Sequence, residues 1–300
     1  MKNILLPTDF SKNAWNAIQY SIDLYKDEPC VFYLLNTYTP SISTSRFMAS
    51  VLYEESLTVE NYSKEGLQHI LNRIQKKYHN PLHNFKTISS FSLLVDEVRE
   101  VIDEYNIDMV ILGAKGASGL AEIFMGSSAV RIIKAVKNCP VLAIPNQFKF
   151  KTPKEIAFAT DFNRFYTQSE LQPIINMVKT FNSVLRIVHV QNEIKALTEL
   201  QRFNLNMLRK YFKDIEYYIH TVSELNSISK TLEIFANELE LHLLAMLNYQ
   251  HSYLEEITRE PIVKQLTFHT KIPLLVIPEI GMNNSLKNKR DQKIYLSSQQ

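Results

Sequence analysis

The chain has 300 residues and a formal net charge of +2 at pH 7, from 33 basic and 31 acidic side chains. Its length favours about two domains, and 45% apolar against 21% charged residues is an ordinary balance for packed cores. The near-neutral charge excludes a large electrostatic footprint for nucleic acid. No apolar stretch approaches membrane-spanning length and no basic-then-apolar leader precedes the first strand pattern, so we expect a cytoplasmic protein without a membrane partner.

Short β-branched runs alternate with longer segments of helical periodicity along the first half of the chain. This alternation is typical of a parallel sheet with crossover helices. Strands are predicted near residues 3–7, 30–36, 85–91, 108–113 and 140–144, and helices near 11–26, 56–78, 94–105 and 127–137. Right-handed connections around a central first strand predict the strand order 3-2-1-4-5.

The second half of the chain repeats the first. Lys2–Phe10 recurs at Lys154–Phe162 with five of nine positions identical, and Pro140–Pro145 recurs at Pro273–Pro278 with four of six identical. The two offsets, 152 and 133, differ by 19 residues, so the second copy is shorter. We place the excess of the first copy around Thr39–Glu55, where Pro40–Ser45 is predicted to be a loop. Strands of the second copy are predicted near 155–160, 184–190, 215–221, 241–247 and 273–277, with helices between them.

The sequence therefore predicts an α/β protein with two tandem, doubly wound, Rossmann-like domains, each built on a five-stranded parallel sheet. The first domain is expected over residues 1–146 and the second over 152–280, followed by a polar tail at 281–300. The linker between them is short, which predicts that the domains associate as an intramolecular pseudo-dimer.

Side chains that could carry nucleophilic catalysis or bind a metal are not arranged for either role. Pro81 separates His79 from His83, and the eight histidines show no metal-ligand spacing. No nucleophile elbow, P-loop or catalytic Cys-His pair is present. Cys30 and Cys139 begin apparent strands, which favours buried reduced thiols over a disulfide. We therefore predict no metal site and favour a protein that is not an enzyme.

Three glycines and two serines between a predicted strand and a predicted helix form the most specific local pattern. Gly113 and Gly116 follow the fourth strand, and Gly126, Ser127 and Ser128 begin the next helix. Glycine permits a sharp exit from a strand and lets the backbone approach a ligand without a Cβ in the way. The first amides of a helix are unpaired and lie at its positive dipole end, so they favour phosphate. The pattern predicts an anion site at this sheet edge.

The spacing Gly-x2-Gly-x9-Gly-Ser resembles the nucleotide-binding signature of the universal stress protein family, in the branch that binds ATP. Asn3–Ser11 is similar to that family's first strand and turn, and Asn138–Pro145 is similar to its last strand. The resemblance covers the first 146 residues. It implies ATP as the ligand, with Mg²⁺ or Mn²⁺ accompanying the triphosphate.

The resemblance also implies the residues of the site: Pro7, Asp9, Thr37, Gly113, Gly116, Gly126, Ser127 and Ser128. The first three would line the nucleoside end, the next two would bring backbone to the ribose and phosphates, and the last three would hold the phosphate chain. Asp9 also suits a turn or cap before the first helix. Thr37 stands where the family commonly has an aliphatic residue against adenine.

The second copy lacks this pattern. At the offset of 133, Met246, Tyr249, Arg259 and Glu260 replace the glycines and the serine. Bulky side chains fill the approach to the backbone, and the carboxylate of Glu260 would repel a phosphate. One nucleotide site per chain is therefore predicted.

The leading hypothesis is a tandem universal stress protein that binds ATP, or another adenine nucleotide, in its first domain and acts in stress response or regulation. One alternative is a weak ATP hydrolase or nucleotidyl-transfer enzyme, for which Asp9 is the local carboxylate. A second alternative is a structural interaction module with a vestigial pocket. Family members commonly dimerise through the last strand, so strands 140–145 and 273–278 would pair within one chain or support a homodimer.

Overall fold

A computed structural model describes residues 1–39, 49–114, 126–193, 195–249 and 271–279 of the chain, with the backbone alone at 49–56. The chain divides into two compact units. The first unit comprises Met1–Lys151 and Phe268–Leu274, and the second unit comprises Thr152–Thr267 and Leu275–Gln300. The predicted polar tail at 281–300 lies outside the described residues.

The first unit is an alternation of strands and helices. Its described elements are β1 (Lys2–Pro7), α1 (Lys12–Leu24), β2 (Cys30–Tyr38), α2 (Ala49–Lys77), β3 (His83–Phe91), α3 (Leu94–Glu104), β4 (Met109–Gly113), α4 (Ser127–Ala135) and β5 (Val141–Ile144). These strands lie in the order β3-β2-β1-β4-β5 and pair in parallel. The predicted order 3-2-1-4-5 is confirmed.

The second unit repeats this plan. Its described elements are β6 (Glu155–Ala159), α5 (Gln168–Phe181), β7 (Val184–Gln191), α6 (Glu199–Tyr211), β8 (Tyr217–Ser223), α7 (Ile228–Glu238), β9 (Leu243–Asn248) and β10 (Leu274–Pro278). The strand order β8-β7-β6-β9-β10 repeats that of the first unit, and β6 pairs in parallel with both β7 and β9. The predicted α/β class, with a parallel sheet and flanking helices, is therefore correct.

The central strands are apolar on both faces because helices cover both sides of the sheet. Ile4, Leu5 and Leu6 of β1 are at most 1% exposed. Cys30 and Cys139 are buried free thiols, as predicted, and burial raises the pKa of Cys30 to about 11 and that of Cys139 to about 12. No helix in the described part of the chain is both long and apolar enough to span a membrane.

One predicted boundary differs from the structure by more than two residues. Helix α2 begins at Ala49, seven residues before the predicted start near residue 56. The serines before residue 46 favoured a loop, but Ala49 and the residues after it are compatible with a helix and extend the periodic segment backwards. The starts of β3, β8 and β9 each differ from the predicted starts by two residues.

Candidate functional site

A tight turn follows β1 and directs Asp9 to the carboxyl edge of the sheet. The hydroxyl oxygen of Thr8 accepts a hydrogen bond from the Phe10 amide at 3.1 Å, and Asp9 Oδ1 accepts one from the Ser11 amide at 3.1 Å. Phe10 has a φ of 62°. Ser11 then caps α1 by accepting from the Ala14 amide at 3.1 Å. Asp9 therefore has the turn contact considered in the sequence, while its side chain stays exposed at the sheet edge.

A side-chain bridge ties the end of β2 to this turn. Asn36 is 8% exposed, and its Nδ2 donates to the backbone oxygen of Thr8 at 2.7 Å. The bridge fixes the ends of β1 and β2 relative to each other, so that Thr37 lies beside the turn. The sequence did not lead us to predict Asn36 as a site residue, since only Thr37, the residue after it, was named there.

A cavity of about 170 Å³ lies where β1, β2 and β4 end and α4 begins. Of the residues predicted for the site, those that line this cavity are Pro7, Asp9, Thr37, Gly113 and Ser128. Further lining residues, which were not predicted, are Thr8, Ala14, Asn36, Leu94, Leu112, Ala129 and Ile132. Helical spacing could have found the last two, since Ile132 lies one turn after Ser128 on the same face of α4.

Gly113 leaves room for the Asn13 side chain of α1. A Cβ added at Gly113 would lie 2.3 Å from Asn13 Nδ2 and 2.8 Å from Asn13 Cγ. Its backbone does not lie in the left-handed region, so the sharp exit from the strand expected of this glycine is not its reason. The close approach that it permits is that of Asn13, which is 5% exposed.

The start of α4 lies beside the end of β4. Gly126 is the N-cap, with φ −60° and ψ 150°, and its amide donates to the backbone oxygen of Ala114. The first bond within the helix runs from the Val130 amide to the Gly126 oxygen at 3.1 Å. The amides between them therefore have no acceptor within the helix. Ser128 lines the cavity, whereas the Ser127 side chain is exposed and does not line it.

Several residues named in the sequence lie outside the described part of the chain. Among the predicted site residues this applies to Gly116. In the second unit it applies to Arg259 and Glu260.

The turn after the first strand is repeated in the second unit. Phe162 has a φ of 58°, and its amide donates to Thr160 Oγ1 at 3.2 Å. Asp161 Oδ1 accepts from the Asn163 amide at 3.0 Å. Both bonds repeat those of the first unit, so the duplication extends to individual hydrogen bonds.

The carboxylate at this turn is covered in the second unit. Asp161 is 7% exposed, and Oδ1 also accepts a hydrogen bond from the Tyr249 hydroxyl. Burial, together with the negative charge of Asp161, raises the pKa of Tyr249 far above its ordinary value. The Arg164 guanidinium lies 4.9 Å from the centre of the Tyr249 ring, and carboxylate oxygens of Glu170 and Glu279 lie 2.6 and 3.5 Å from its nitrogens. These side chains occupy the space beside the turn.

The strand register corrects the alignment of the two copies. Val110 of β4 lies opposite Leu5 of β1, and Leu244 of β9 lies opposite Ala157 of β6. Because Leu5 and Ala157 are equivalent in the two copies, Val110 and Leu244 are equivalent as well, and the offset at this strand is 134 (244 − 110). The offset of 133, taken from the last strand, is wrong here by one residue. Gly113 therefore corresponds to Leu247 rather than to Met246. A bulky side chain does replace the glycine, as expected, but it is a different one.

The class of protein follows from this arrangement: a doubly wound parallel sheet with a cavity at the carboxyl ends of its strands is typical of ligand-binding α/β proteins. Residues 1–145 match the family model described as Universal stress protein family. A universal stress protein of Methanocaldococcus jannaschii is 25% identical over 143 residues, covering 48% of this chain and 81% of that protein. The universal stress protein YxiE of Bacillus subtilis is 22% identical over 145 residues, covering 47% and 97%.

Residues 1–145 therefore form a domain of the universal stress protein family. A solved structure of a universal stress protein from Archaeoglobus fulgidus extends the likeness of fold to both halves. It covers 92% of this chain and 96% of its own, with a TM-score of 0.63 and 18% identity. At this identity the likeness concerns the fold alone.

Proposed function

We propose that the first unit binds ATP, or another adenine nucleotide, and that the chain acts as a ligand-binding protein in stress response or its regulation. The observation that carries this proposal is that Ser128, at the start of α4, lines the same cavity as Asp9 and Thr37. A helix start favours phosphate, because its amides lack acceptors and its dipole end is positive. Polar groups at the ends of β1 and β2 suit a ribose or a base edge.

The walls of the cavity support a nucleoside beside the phosphate end. Leu94, Leu112 and Ile132 provide apolar surface for the faces of a flat base. Asn36 and Thr37 provide polar atoms at its edge. The described lining contains both kinds of surface that a nucleotide needs.

The divalent cation enters this proposal only with the nucleotide. Among the described residues, no group of three or more His, Cys, Asp or Glu side chains could hold a metal ion. The side chains described around α4 therefore do not fit a resident metal site, and we assign no protein ligand to Mg²⁺ or Mn²⁺. The cation would arrive bound to the triphosphate.

We keep residues 1–146 and 152–280 as the proposed domains, and one nucleotide site per chain. Intramolecular pairing of strands 140–145 and 273–278, a homodimer and a cytoplasmic location stay predictions. So does the absence of ATP hydrolysis.

Calorimetric titration of the full chain with ATP and Mg²⁺ tests the proposal. We expect saturable binding with one site per chain and no phosphate release beyond that of a protein-free control. The absence of binding to protein from which bound nucleotide has been removed would overturn the proposal. A stoichiometry near two would contradict the loss of the second site, and steady phosphate release would favour the hydrolase.

A further inference from the structure

A second and larger cavity lies at the carboxyl edge of the second unit. Its volume is about 750 Å³, which falls in the range of about 300–1,000 Å³ typical of small-molecule sites. It lies where β6 and β7 end and where α6 and α7 begin. Its lining includes Asp161, His189, Val190, Gln201, Glu224 and Ile228.

This cavity corresponds in position to the nucleoside end of the first cavity. His189 Nδ1 lies 3.0 Å from the backbone oxygen of Thr160, where it repeats the contact that Asn36 makes in the first unit. The next residue along the strand, Val190, therefore corresponds to Thr37, and both line their cavities. The helix after the third strand of each unit also contributes its first residue to the lining, Leu94 of α3 and Ile228 of α7.

The floor of the second cavity is held by buried contacts. The His189 side chain is 2% exposed, and its ring centre lies 4.8 Å from that of Phe162. Gln201 Nε2 donates to the backbone oxygen of Asp161 at 3.0 Å, and Asn204 Nδ2 donates to that of Phe162 at 2.8 Å. Polar groups that are positioned before a ligand arrives lower the entropic cost of binding.

The charge of this cavity disfavours phosphate. Three carboxylates line it, from Asp161, Glu193 and Glu224, against the single ammonium group of Lys195 in the described lining. Lys195 Nζ itself lies 2.7 Å from a Glu193 carboxylate oxygen. The starts of α6 and α7 also offer less to a phosphate than that of α4, because Thr198 and Ser227 each accept a hydrogen bond from a helix amide at 3.2 Å, whereas the N-cap of α4 has no side-chain cap bond. The lining therefore disfavours an anion relative to an uncharged polar ligand.

We propose that the second unit binds an uncharged nucleoside in this cavity and rejects the corresponding nucleotides. The nucleoside assignment rests on the proposed function of the first unit, because it is drawn from the correspondence between the two cavities. The existence of a site for an uncharged polar ligand rests on the second cavity alone.

Adenosine, AMP and ATP with Mg²⁺ are the probes for a test on the full chain, by calorimetry and ligand-observed saturation-transfer NMR. Ala196→Trp places a large ring at the exposed mouth of the cavity without altering buried residues. Lys210→Trp, on the exposed face of α6 and outside the lining, is the matched control. We expect Ala196→Trp to weaken adenosine binding at least tenfold, while Lys210→Trp leaves it unchanged and neither variant alters ATP binding.

Adenosine binding that is absent in the parent or insensitive to Ala196→Trp would overturn the proposal. AMP binding that Ala196→Trp weakens as strongly as that of adenosine would overturn the rejection of nucleotides. The two proposals fail separately. Adenosine binding that is lost in Ala196→Trp, without ATP binding to the parent, removes the function proposed for the first unit and supports the second cavity. ATP binding without adenosine binding does the reverse.

Discussion

The two units share one turn and differ in what surrounds it. Thr-Asp-Phe follows the first strand of each unit, with the same two hydrogen bonds and a left-handed phenylalanine. Both aspartates line a cavity, but Asp9 is exposed, whereas Asp161 is 7% exposed and accepts a hydrogen bond from the Tyr249 hydroxyl. The second unit therefore keeps the turn although the carboxylate of Asp161 is buried there. It is a structural element of the repeat, and it does not by itself indicate a nucleotide site.

The start of the first helix separates the units further. In the first unit the N-cap Ser11 follows Phe10 directly, but in the second unit four residues separate Phe162 from the N-cap Thr167. The inserted residues include Arg164, which lies over the ring of Tyr249. The surroundings of the turn can thus change while the fold is kept, because a short insertion covers the carboxylate beside the turn without altering the strand order.

The largest expected effect concerns Gly126. Its φ of −60° and ψ of 150° are available to any residue, so a side chain here adds bulk without backbone strain. We expect Gly126→Val to weaken ATP binding by more than about 100-fold, or about 2.7 kcal/mol, because the added methyls crowd the phosphate at the start of α4. Calorimetry measures binding, and thermal unfolding monitored by circular dichroism checks the fold. A folded variant that binds like the parent would sink the assigned phosphate position.

A large effect on stability is expected at Gly113, whose counterpart in the second unit is Leu247. Because a Cβ would lie 2.3 Å from Asn13 Nδ2, Gly113→Ala should lower the free energy of unfolding by about 1–3 kcal/mol. The double variant Gly113→Ala with Asn13→Ala removes the clashing side chain. Urea unfolding should show that it loses less than the sum of the single variants. Strict additivity would show that Asn13 is not the reason for the glycine.

A smaller effect on binding is expected at the two serines. Ser128 lines the cavity and Ser127 is exposed, so Ser128→Ala should weaken ATP binding about tenfold, or about 1.4 kcal/mol. Ser127→Ala should have the smaller effect, because its backbone amide rather than its hydroxyl would face the ligand. Ser227→Ala, at a helix start of the second unit, is the matched control and should leave ATP affinity unchanged. The reverse ranking would place the phosphate on the outer side of α4.

The strand order and nearly all boundaries could be predicted from the sequence, because buried parallel strands are continuous apolar runs. The reason for Gly113 could not, since Asn13 meets it across 100 residues of chain. The alignment of Gly113 with Leu247 was also missed, because the offset of the last strand was applied to the whole second copy and is wrong by one residue at β9. The cavity of the second unit depends on the ends of β6 and β7 and the starts of α6 and α7 meeting, which no local pattern encodes.

The smallest expected effect concerns His189, where the first unit has Asn36. Burial lowers the pKa of His189 below its ordinary value of 6.5. The unfolded chain therefore takes up a proton more readily than the native protein, and stability is lost as the pH falls below about 6.5.

His189→Asn keeps a donor towards the Thr160 oxygen but removes this titration. Urea midpoints measured between pH 5 and 7.5 should thus fall less steeply towards acid in the variant than in the parent. His220, whose pKa is lowered by burial and by Arg186, is present in both proteins and cancels. Parallel pH profiles would mean that His189 is as readily protonated in the native protein as in the unfolded chain.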